Sequence, residues 1–272
     1  MWFMLTVKVG RLKINYEMDG LGSCIVLVHG HGSNLHFYDG LAYDLKKDYT
    51  VVRYDQRGYG LTDKPLQPPY STELWADDLY RFLRKLSIEK AVVAGHSMGG
   101  RICATFAVNH PEMVVGLITL NTTWFGSNPK GADELEKNAS QVEERGISAA
   151  LDFSPWINTI PKRFPRIVEL EIRELLKNDA ASYALGSRGV AKDFRGESRE
   201  DILKALECPT LIFIGDKDSA PLEGAMKMYR SIKHSRLAVI PNSGHFSILE
   251  KPEISKAIIT DFLDEIKSTQ AF

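Results

Sequence analysis

Short runs of consecutive apolar residues alternate along this chain with segments of helical periodicity. Ile25–Val28 and Ala91–Gly95 are typical runs, and each has the length of one strand buried on both faces of a sheet. Between such runs, apolar residues recur at helical spacing, most clearly over Thr72–Leu86. Helices that connect successive strands predict an α/β fold with a mostly parallel sheet and helices on both faces. An antiparallel hairpin of Leu5–Val9 and Leu12–Glu17 is expected to precede it.

The alternation of strands and helices is interrupted in the middle of the chain. Residues 122–200 show no clear strand pattern, but they contain helical stretches such as Ile167–Leu176 and several prolines. We therefore predict a first part of the α/β core over 1–121, a helical lid over 122–200 and a second part of the core over 201–272. The lid is expected to cover one face of the core and to supply apolar side chains to a pocket there.

Composition places the chain among ordinary globular proteins. Its 272 residues are 44% hydrophobic and 25% charged, and 34 basic residues against 35 acidic ones leave a net charge of −1. Nucleic-acid binding is disfavoured, because proteins that bind DNA carry an excess of positive charge on one face. No apolar run is long enough for a bilayer span or the core of a signal peptide, so we expect a cytoplasmic protein that binds no membrane.

The pentapeptide Gly95–Gly99 has the pattern G-x-S-x-G and joins a predicted buried strand to a predicted helix. In this context the pattern predicts a nucleophile elbow, a sharp turn that exposes a serine hydroxyl in strained backbone geometry. Neighbouring chains crowd such a turn, so the positions two before and two after the serine need little or no side chain. We therefore predict Ser97 as a catalytic nucleophile in preference to a chance glycine-rich turn.

A nucleophilic serine needs a base, and the base needs a partner that orients it. His245 lies in the polar loop Pro241–Phe246 after the last predicted strand, from which it can reach across the top of the sheet. Two carboxylates, Asp216 and Asp218, follow the preceding strand. We favour Asp218, which is better placed to leave the strand end, whereas Asp216 suits a turn, and the family resemblance described below supports the same choice. The order serine, acid, histidine is the one that this architecture uses.

Two backbone N–H groups are expected to bind the negative oxygen that forms during attack on an acyl carbon. One belongs to Met98, directly after the serine, at the start of the predicted helix. The other is expected in the loop His29–Gly32 after an early strand, and His31 is the candidate through its backbone.

The sequence indicates no metal site and no cofactor. Three histidines, His29, His31 and His36, lie close together after a strand, but no acidic or cysteine partner completes a zinc pattern. The cysteines are isolated and odd in number, which indicates neither a disulfide framework nor a zinc knuckle. They are Cys24, Cys103 and Cys208.

Taken together, these segments resemble the α/β-hydrolase superfamily over nearly the whole chain. The matching segments are His29–Gly32, Tyr54–Gly60, Gly95–Gly100, Gly215–Asp218 with Pro221, and Gly244–His245. Within the superfamily, the chain is most similar to the 3-oxoadipate enol-lactonase and carboxylesterase branch. His96 departs from the residue common before the serine in enol-lactonases and matches general esterases. Ser97 disfavours the branches that use an aspartate nucleophile, such as haloalkane dehalogenases.

The resemblance implies the α/β-hydrolase fold with a helical lid and a serine hydrolase mechanism. His245 would take the proton of Ser97 as the serine attacks an acyl carbon, and Asp218 would orient the imidazole. The N–H groups of His31 and Met98 would bind the oxyanion. Water would then attack the acyl-enzyme with the same histidine as base.

The expected substrate is a small or medium carboxylic ester or lactone, acted on by a monomer or homodimer. Trp124, directly after a strand end, and Trp156, in the lid, are the candidate substrate contacts. Arg101, one turn after the serine, is a second candidate contact for a substrate carboxylate, although a structural ion pair is the favoured role. Two alternatives use the same site: hydrolysis of a C–C bond or thioester, and a ligand receptor with slow turnover.

Overall fold

The computed structural model describes residues 4–123, 128–153, 164–196, 200–220 and 222–269. Within these ranges the strands form one eight-stranded sheet. The strands are β1 (Leu5–Val9), β2 (Leu12–Asp19), β3 (Cys24–Val28), β4 (Thr50–Tyr54), β5 (Ala91–His96), β6 (Val114–Leu120), β7 (Thr210–Gly215) and β8 (Ser235–Ile240).

The strands follow the spatial order β1-β2-β4-β3-β5-β6-β7-β8. β1 and β2 are antiparallel, β2 is antiparallel to β4, and every later pair is parallel. Val9 pairs with Leu12 across the hairpin, and Gly10 turns the chain with a φ of +60°, a conformation that glycine adopts without steric cost. The predicted α/β fold with a mostly parallel sheet is confirmed.

The helices that connect these strands lie on both faces of the sheet. The α-helices of the described ranges are α1 (Asp39–Leu45), α2 (Thr72–Lys85), α3 (Met98–Asn109), α4 (Pro129–Arg145), α5 (Pro165–Leu175), α6 (Ala180–Arg195), α7 (Glu200–Lys204), α8 (Leu222–Ser231), α9 (Ser247–Glu250) and α10 (Pro252–Thr269).

Alternate residues of each central strand bury their side chains in two separate apolar layers. On β3, Val26 and Val28 face a layer that contains the apolar sides of α2, α3 and α8. Ile25 and Leu27 face the opposite layer, which contains those of α1 and α10. A strand covered on both faces has no polar side, which explains why the sequence shows continuous apolar runs.

Between β6 and β7 the described residues are helical. They comprise α4, the 3-10 helix Ile147–Phe153, α5, α6 and the short α7. A small apolar cluster joins the first four of these elements: Val142, Ala149, Ala150, Leu175 and Tyr183. The three-part division of the chain at residues 121 and 200 stays a prediction. Trp124 and Trp156 lie outside the described residues.

The described part of the chain contains no helix with both the length and the apolar character to cross a membrane. Cys24, Cys103 and Cys208 are free thiols. Burial raises the pKa of the Cys24 thiol to about 12 and that of Cys208 to about 11, so neither is a reactive thiolate at neutral pH.

Candidate active site

Ser97 lies at the turn between β5 and α3, at the carboxyl end of the sheet. Its φ of 52° and ψ of −116° fall outside the regions that residues with a side chain ordinarily populate. The turn is held by three hydrogen bonds. The Ser97 N–H donates to the Leu120 carbonyl at 2.9 Å, and the Ser97 carbonyl accepts from the Gly100 N–H at 3.1 Å and the Thr122 hydroxyl at 2.9 Å. These hydrogen bonds hold the Ser97 backbone in its strained conformation.

The glycines around Ser97 are required by crowding. A Cβ at Gly95 would overlap the Gly99 carbonyl, and a Cβ at Gly99 would overlap the Val28 carbonyl. At Gly100, a Cβ would overlap the Thr122 side chain. The close approach of these backbones is therefore what the G-x-S-x-G pattern encodes.

His245 lies in the loop between β8 and α9, and its imidazole is bonded to Asp218. The Nδ1–H of His245 donates to Oδ1 of Asp218 at 2.7 Å, and the Asp218 side chain is fully buried. Burial lowers the pKa of His245, but the charge and hydrogen bond of Asp218 outweigh burial, so this pKa lies above its ordinary value. Burial raises the pKa of Asp218, and the contacts with His245 outweigh it, so that pKa is lowered.

Asp218 also accepts two further hydrogen bonds shorter than 3 Å. Its Oδ1 accepts from the Ala220 N–H at 2.9 Å, and its Oδ2 accepts from Nδ2 of Asn121 at 2.7 Å. Asp216, the competing carboxylate, accepts instead from the Ser243 N–H at 3.1 Å. Asp218 therefore makes the contact with the histidine, while Asp216 joins two loops.

Two residues, whose positioning role the sequence did not indicate, hold His245 through its backbone. Glu250, on α9, is buried, and its carboxylate accepts from the N–H of Gly244 at 2.8 Å and of Phe246 at 3.1 Å. His96 donates from Nε2 to the His245 carbonyl at 2.8 Å. Burial lowers the pKa of His96 to about 3, so this ring is a neutral donor.

Asn121 is a third positioning residue that sequence reasoning missed. It follows β6 directly with a φ of 51°, which asparagine tolerates better than most residues. Its Nδ2 group contacts the Gly244 carbonyl and the Ser247 hydroxyl, both at 3.0 Å, besides Asp218. A polar residue directly after a central strand is the signal that points to it.

Ser97 and His245 line one cavity of about 680 Å³. The loop after β3 forms another wall, and a Cβ placed on Gly30 would lie 3.3 Å from the Cβ of Ser97. The N–H groups of His31 and Met98 make no hydrogen bond with any described residue, and Met98 is the first residue of α3. Neither amide is committed to an acceptor in the described part of the protein, which is a requirement of an oxyanion site.

The imidazole rings of His29 and His31 make hydrogen bonds that hold neighbouring segments together. His31 Nδ1 lies 2.6 Å from the Tyr59 hydroxyl and Nε2 lies 2.9 Å from the Ser187 hydroxyl on α6, so the ring joins the β3 loop to the helical segment. Burial lowers the pKa of His31 to about 3. His29 uses both ring nitrogens, toward the Gly30 carbonyl at 2.8 Å and the Gln56 N–H at 3.1 Å. Within the described ranges, no group of three potential ligands is arranged to hold a metal ion.

Arg101 lines the cavity but is engaged by α6. Its Nη1 lies 3.8 Å from Oδ2 of Asp193, and its guanidinium lies 4.5 Å above the Phe194 ring. These contacts make it part of an ion pair at the wall of the cavity. Phe153 also lines the cavity, and Glu171 on α5 brings a buried carboxyl to it.

Two of the known proteins that this chain resembles illustrate the likeness, both at low identity. A 2-(acetamidomethylene)succinate hydrolase from Mesorhizobium japonicum is 28% identical over 95% of this chain and 94% of its own length. A fluoroacetate dehalogenase from a Burkholderia species is 28% identical over 96% of this chain and 94% of its own.

Solved structures extend the likeness to the whole fold. A thermophilic esterase from Thermogutta terrifontis superposes with a TM-score of 0.87 at 26% identity, covering 98% of this chain and 99% of its own. An enol-lactonase from Burkholderia xenovorans LB400 has a TM-score of 0.84 at 21% identity, covering 96% and 100%, and shows the fold alone.

The family profile described as alpha/beta hydrolase fold matches residues 24–252, from the first residue of β3 to the first residue of α10. This range contains the elbow, the acid, the histidine and the helical segment between β6 and β7. The chain belongs to the alpha/beta hydrolase family and is a hydrolase.

Proposed function

We propose that this protein is a serine hydrolase that cleaves a small or medium carboxylic ester or lactone through an acyl-enzyme. Ser97 is the nucleophile, His245 the general base and Asp218 the residue that orients it. The observation that carries the proposal is the 2.7 Å hydrogen bond between His245 and Asp218, made beside the cavity that Ser97 also lines.

The reaction follows from these roles. His245 takes the hydroxyl proton of Ser97 while the oxygen attacks the carbonyl carbon, and the N–H groups of His31 and Met98 bind the negative oxygen that results. His245 gives the proton to the leaving alkoxide, and the acyl group stays on the serine. Water then attacks the acyl carbon, with His245 again as base, and releases the acid.

The esterase among the similar structures, at 26% identity, supports an ester substrate. The dehalogenase relative does not alter the proposal, because a serine occupies the elbow of this chain. Hydrolysis of p-nitrophenyl acetate and butyrate, with and without Ser97→Ala, tests it. We expect multiple turnovers, and a loss on the order of 10⁵-fold in the variant. Ser140→Ala, on the exposed face of α4, is the matched control.

A substrate panel separates the remaining possibilities. Lactones, thioesters and vinylogous diketones offered alongside simple esters would reveal a lactonase, a thioesterase or a C–C hydrolase that uses the same residues. A receptor would instead show little turnover and a ligand-dependent rise in Tm. Full activity in Ser97→Ala would contradict the triad altogether.

A further inference from the structure

Glu171 brings a carboxyl group into the cavity that contains Ser97. It lies on α5 and is only 9% exposed. Its carboxyl lies close enough to the His245 imidazole for each charge to act on the pKa of the other group. Glu171 and His245 therefore line the same cavity and interact through their charges.

No described residue makes a hydrogen bond or ion pair with Glu171. The nearest lysine along the chain, Lys177, contacts Glu174 instead, at 2.7 Å, and Asn34 donates to Glu174 as well. Burial, followed by the charge of Glu174, raises the pKa of Glu171 to about 7. A buried carboxylate without a partner is costly, and a partner brought by a ligand would remove that cost.

The other charged groups of the cavity wall do not supply such a partner. Arg101 is paired with Asp193, and the remaining charged lining residues are Glu134, Glu223 and Lys227. Carboxylates outnumber cations among the described lining residues, and these residues favour a positively charged ligand over a second carboxylate.

We propose that Glu171 binds a cationic amino group of the substrate, so that the enzyme prefers esters bearing an ammonium group to neutral or carboxylate-bearing ones. This inference rests on the proposed ester hydrolysis and deepens it. The ammonium group donates a charge-assisted hydrogen bond to the Glu171 carboxylate. Binding in this way orients the ester relative to Ser97 and neutralises the buried charge.

Two pairs of isosteric esters test the preference on either side of the ester bond. Dimethylaminoethyl butyrate and isopentyl butyrate differ by an ammonium group in the alcohol. The ethyl esters of ε-aminocaproic acid and heptanoic acid differ by an ammonium group in the acyl part. We expect kcat/KM of the wild type to favour the cationic member of at least one pair by about tenfold or more. In Glu171→Gln this ratio should fall to about one, because kcat/KM for the cationic ester falls by more than kcat/KM for its neutral counterpart.

Glu169→Gln is the matched control, since it removes one charge from the exposed face of the same helix. It should keep the preference of the wild type. A ratio that survives in Glu171→Gln, or a wild type that favours the neutral member of both pairs, would overturn the proposal. An equal loss on neutral and cationic esters would also overturn it, because Glu171 would then act on His245.

A binding measurement separates this proposal from ester hydrolysis itself. Titration calorimetry of Ser97→Ala with each intact ester reports affinity without turnover. We expect about tenfold tighter binding of the cationic ester, lost in the Ser97→Ala, Glu171→Gln double variant. If the wild type hydrolyses no ester, the proposed function fails, and calorimetry still decides the role of Glu171. Equal affinity for both members of each pair would refute that role.

Discussion

At the scale of single residues, the site depends on opposing effects of burial and charge. His245 and Asp218 are both shielded from water, which by itself favours their neutral forms. Their mutual contact outweighs burial, so that His245 has a raised pKa and Asp218 a lowered one. Glu171 is buried without such a contact, and its pKa is raised to about 7. The three pKa shifts differ because His245 and Asp218 are paired with each other, whereas Glu171 forms no ion pair with a described residue.

The pH dependence of ester hydrolysis follows from the raised pKa of His245. The base must be neutral, so kcat/KM should fall as pH drops through a value above 6.5, the ordinary pKa of histidine.

In Asp218→Asn the imidazole loses its carboxylate partner, and we expect kcat to fall on the order of 10⁴-fold. Asp216→Asn is the matched comparison and should lose less than about tenfold. A larger loss in Asp216→Asn would contradict the assignment of the acid.

Glu171 also makes stability depend on pH. Its pKa rises from 4.5 to about 7 on folding, so the folded state binds this proton more tightly than the unfolded state. The stability from Glu171 is present below pH 4.5, declines as pH rises to about 7, and then levels off. We expect Glu171→Gln to recover up to about 3 kcal/mol at pH 8 and little at pH 4.5. Urea unfolding at both pH values measures this, and an equal effect at both would contradict it.

At the scale of elements, the carboxyl ends of the strands and the loops after them hold the site. Ser97 follows β5, Asn121 follows β6, and Asp218 follows β7 by three residues. The His245 loop follows β8 and is held from the other side by Glu250 of α9. His31 connects the β3 loop to α6 through Ser187. Each reacting group is thus positioned by an element other than its own.

Replacing Glu250 should displace His245 without touching substrate. In Glu250→Gln, one of the two carboxylate oxygens is replaced by an amide nitrogen, which cannot accept a hydrogen bond. The N–H of either Gly244 or Phe246 then loses its acceptor. We expect kcat to fall by about 10- to 100-fold with KM nearly unchanged, because Glu250 is not among the described residues that line the cavity. Glu253→Gln, an exposed change in the first turn of α10, is the control. Steady-state kinetics together with Tm would detect the contrary result, a change confined to stability.

At the scale of the whole molecule, the sheet separates two apolar layers that contribute to stability independently. Phe106, on α3, lies in one layer and Phe262, on α10, in the other, and both are buried. Tyr54 and Phe82 lie in the same layer, with ring centroids 4.9 Å apart. Residues separated by the sheet share no neighbours, whereas rings in contact share their packing.

Double-mutant cycles distinguish these two situations. We expect Phe106→Ala and Phe262→Ala each to lower the free energy of unfolding by about 3 to 5 kcal/mol and to add within about 0.5 kcal/mol. The Tyr54→Ala, Phe82→Ala pair should depart from additivity by more than that, because the first substitution removes contacts that the second would also remove. Chemical denaturation of the single and double variants gives both coupling energies. Strong coupling across the sheet would contradict independent layers.

Local patterns in the sequence determined the strands, the connecting helices and the Gly95–Gly99 turn. Continuous apolar runs suffice to predict strands buried on both faces, and the two glycines suffice to predict the crowding around Ser97. Chain order and loop chemistry also indicated Asp218 and His245, since both follow strands of a parallel sheet. These inferences needed only local sequence, the order of segments along the chain and the resemblance to the family.

Tertiary structure alone decided which distant side chains meet. Asn121 and Asp218 are 97 positions apart, and His96 and His245 are 149 apart, yet both pairs are hydrogen-bonded. Glu171 looks like an ordinary helical glutamate in the sequence, and only the packing of α5 over the cavity makes it a buried carboxyl. Strand order and helix packing bring such residues together, because burial and partner choice depend on all the surrounding elements at once.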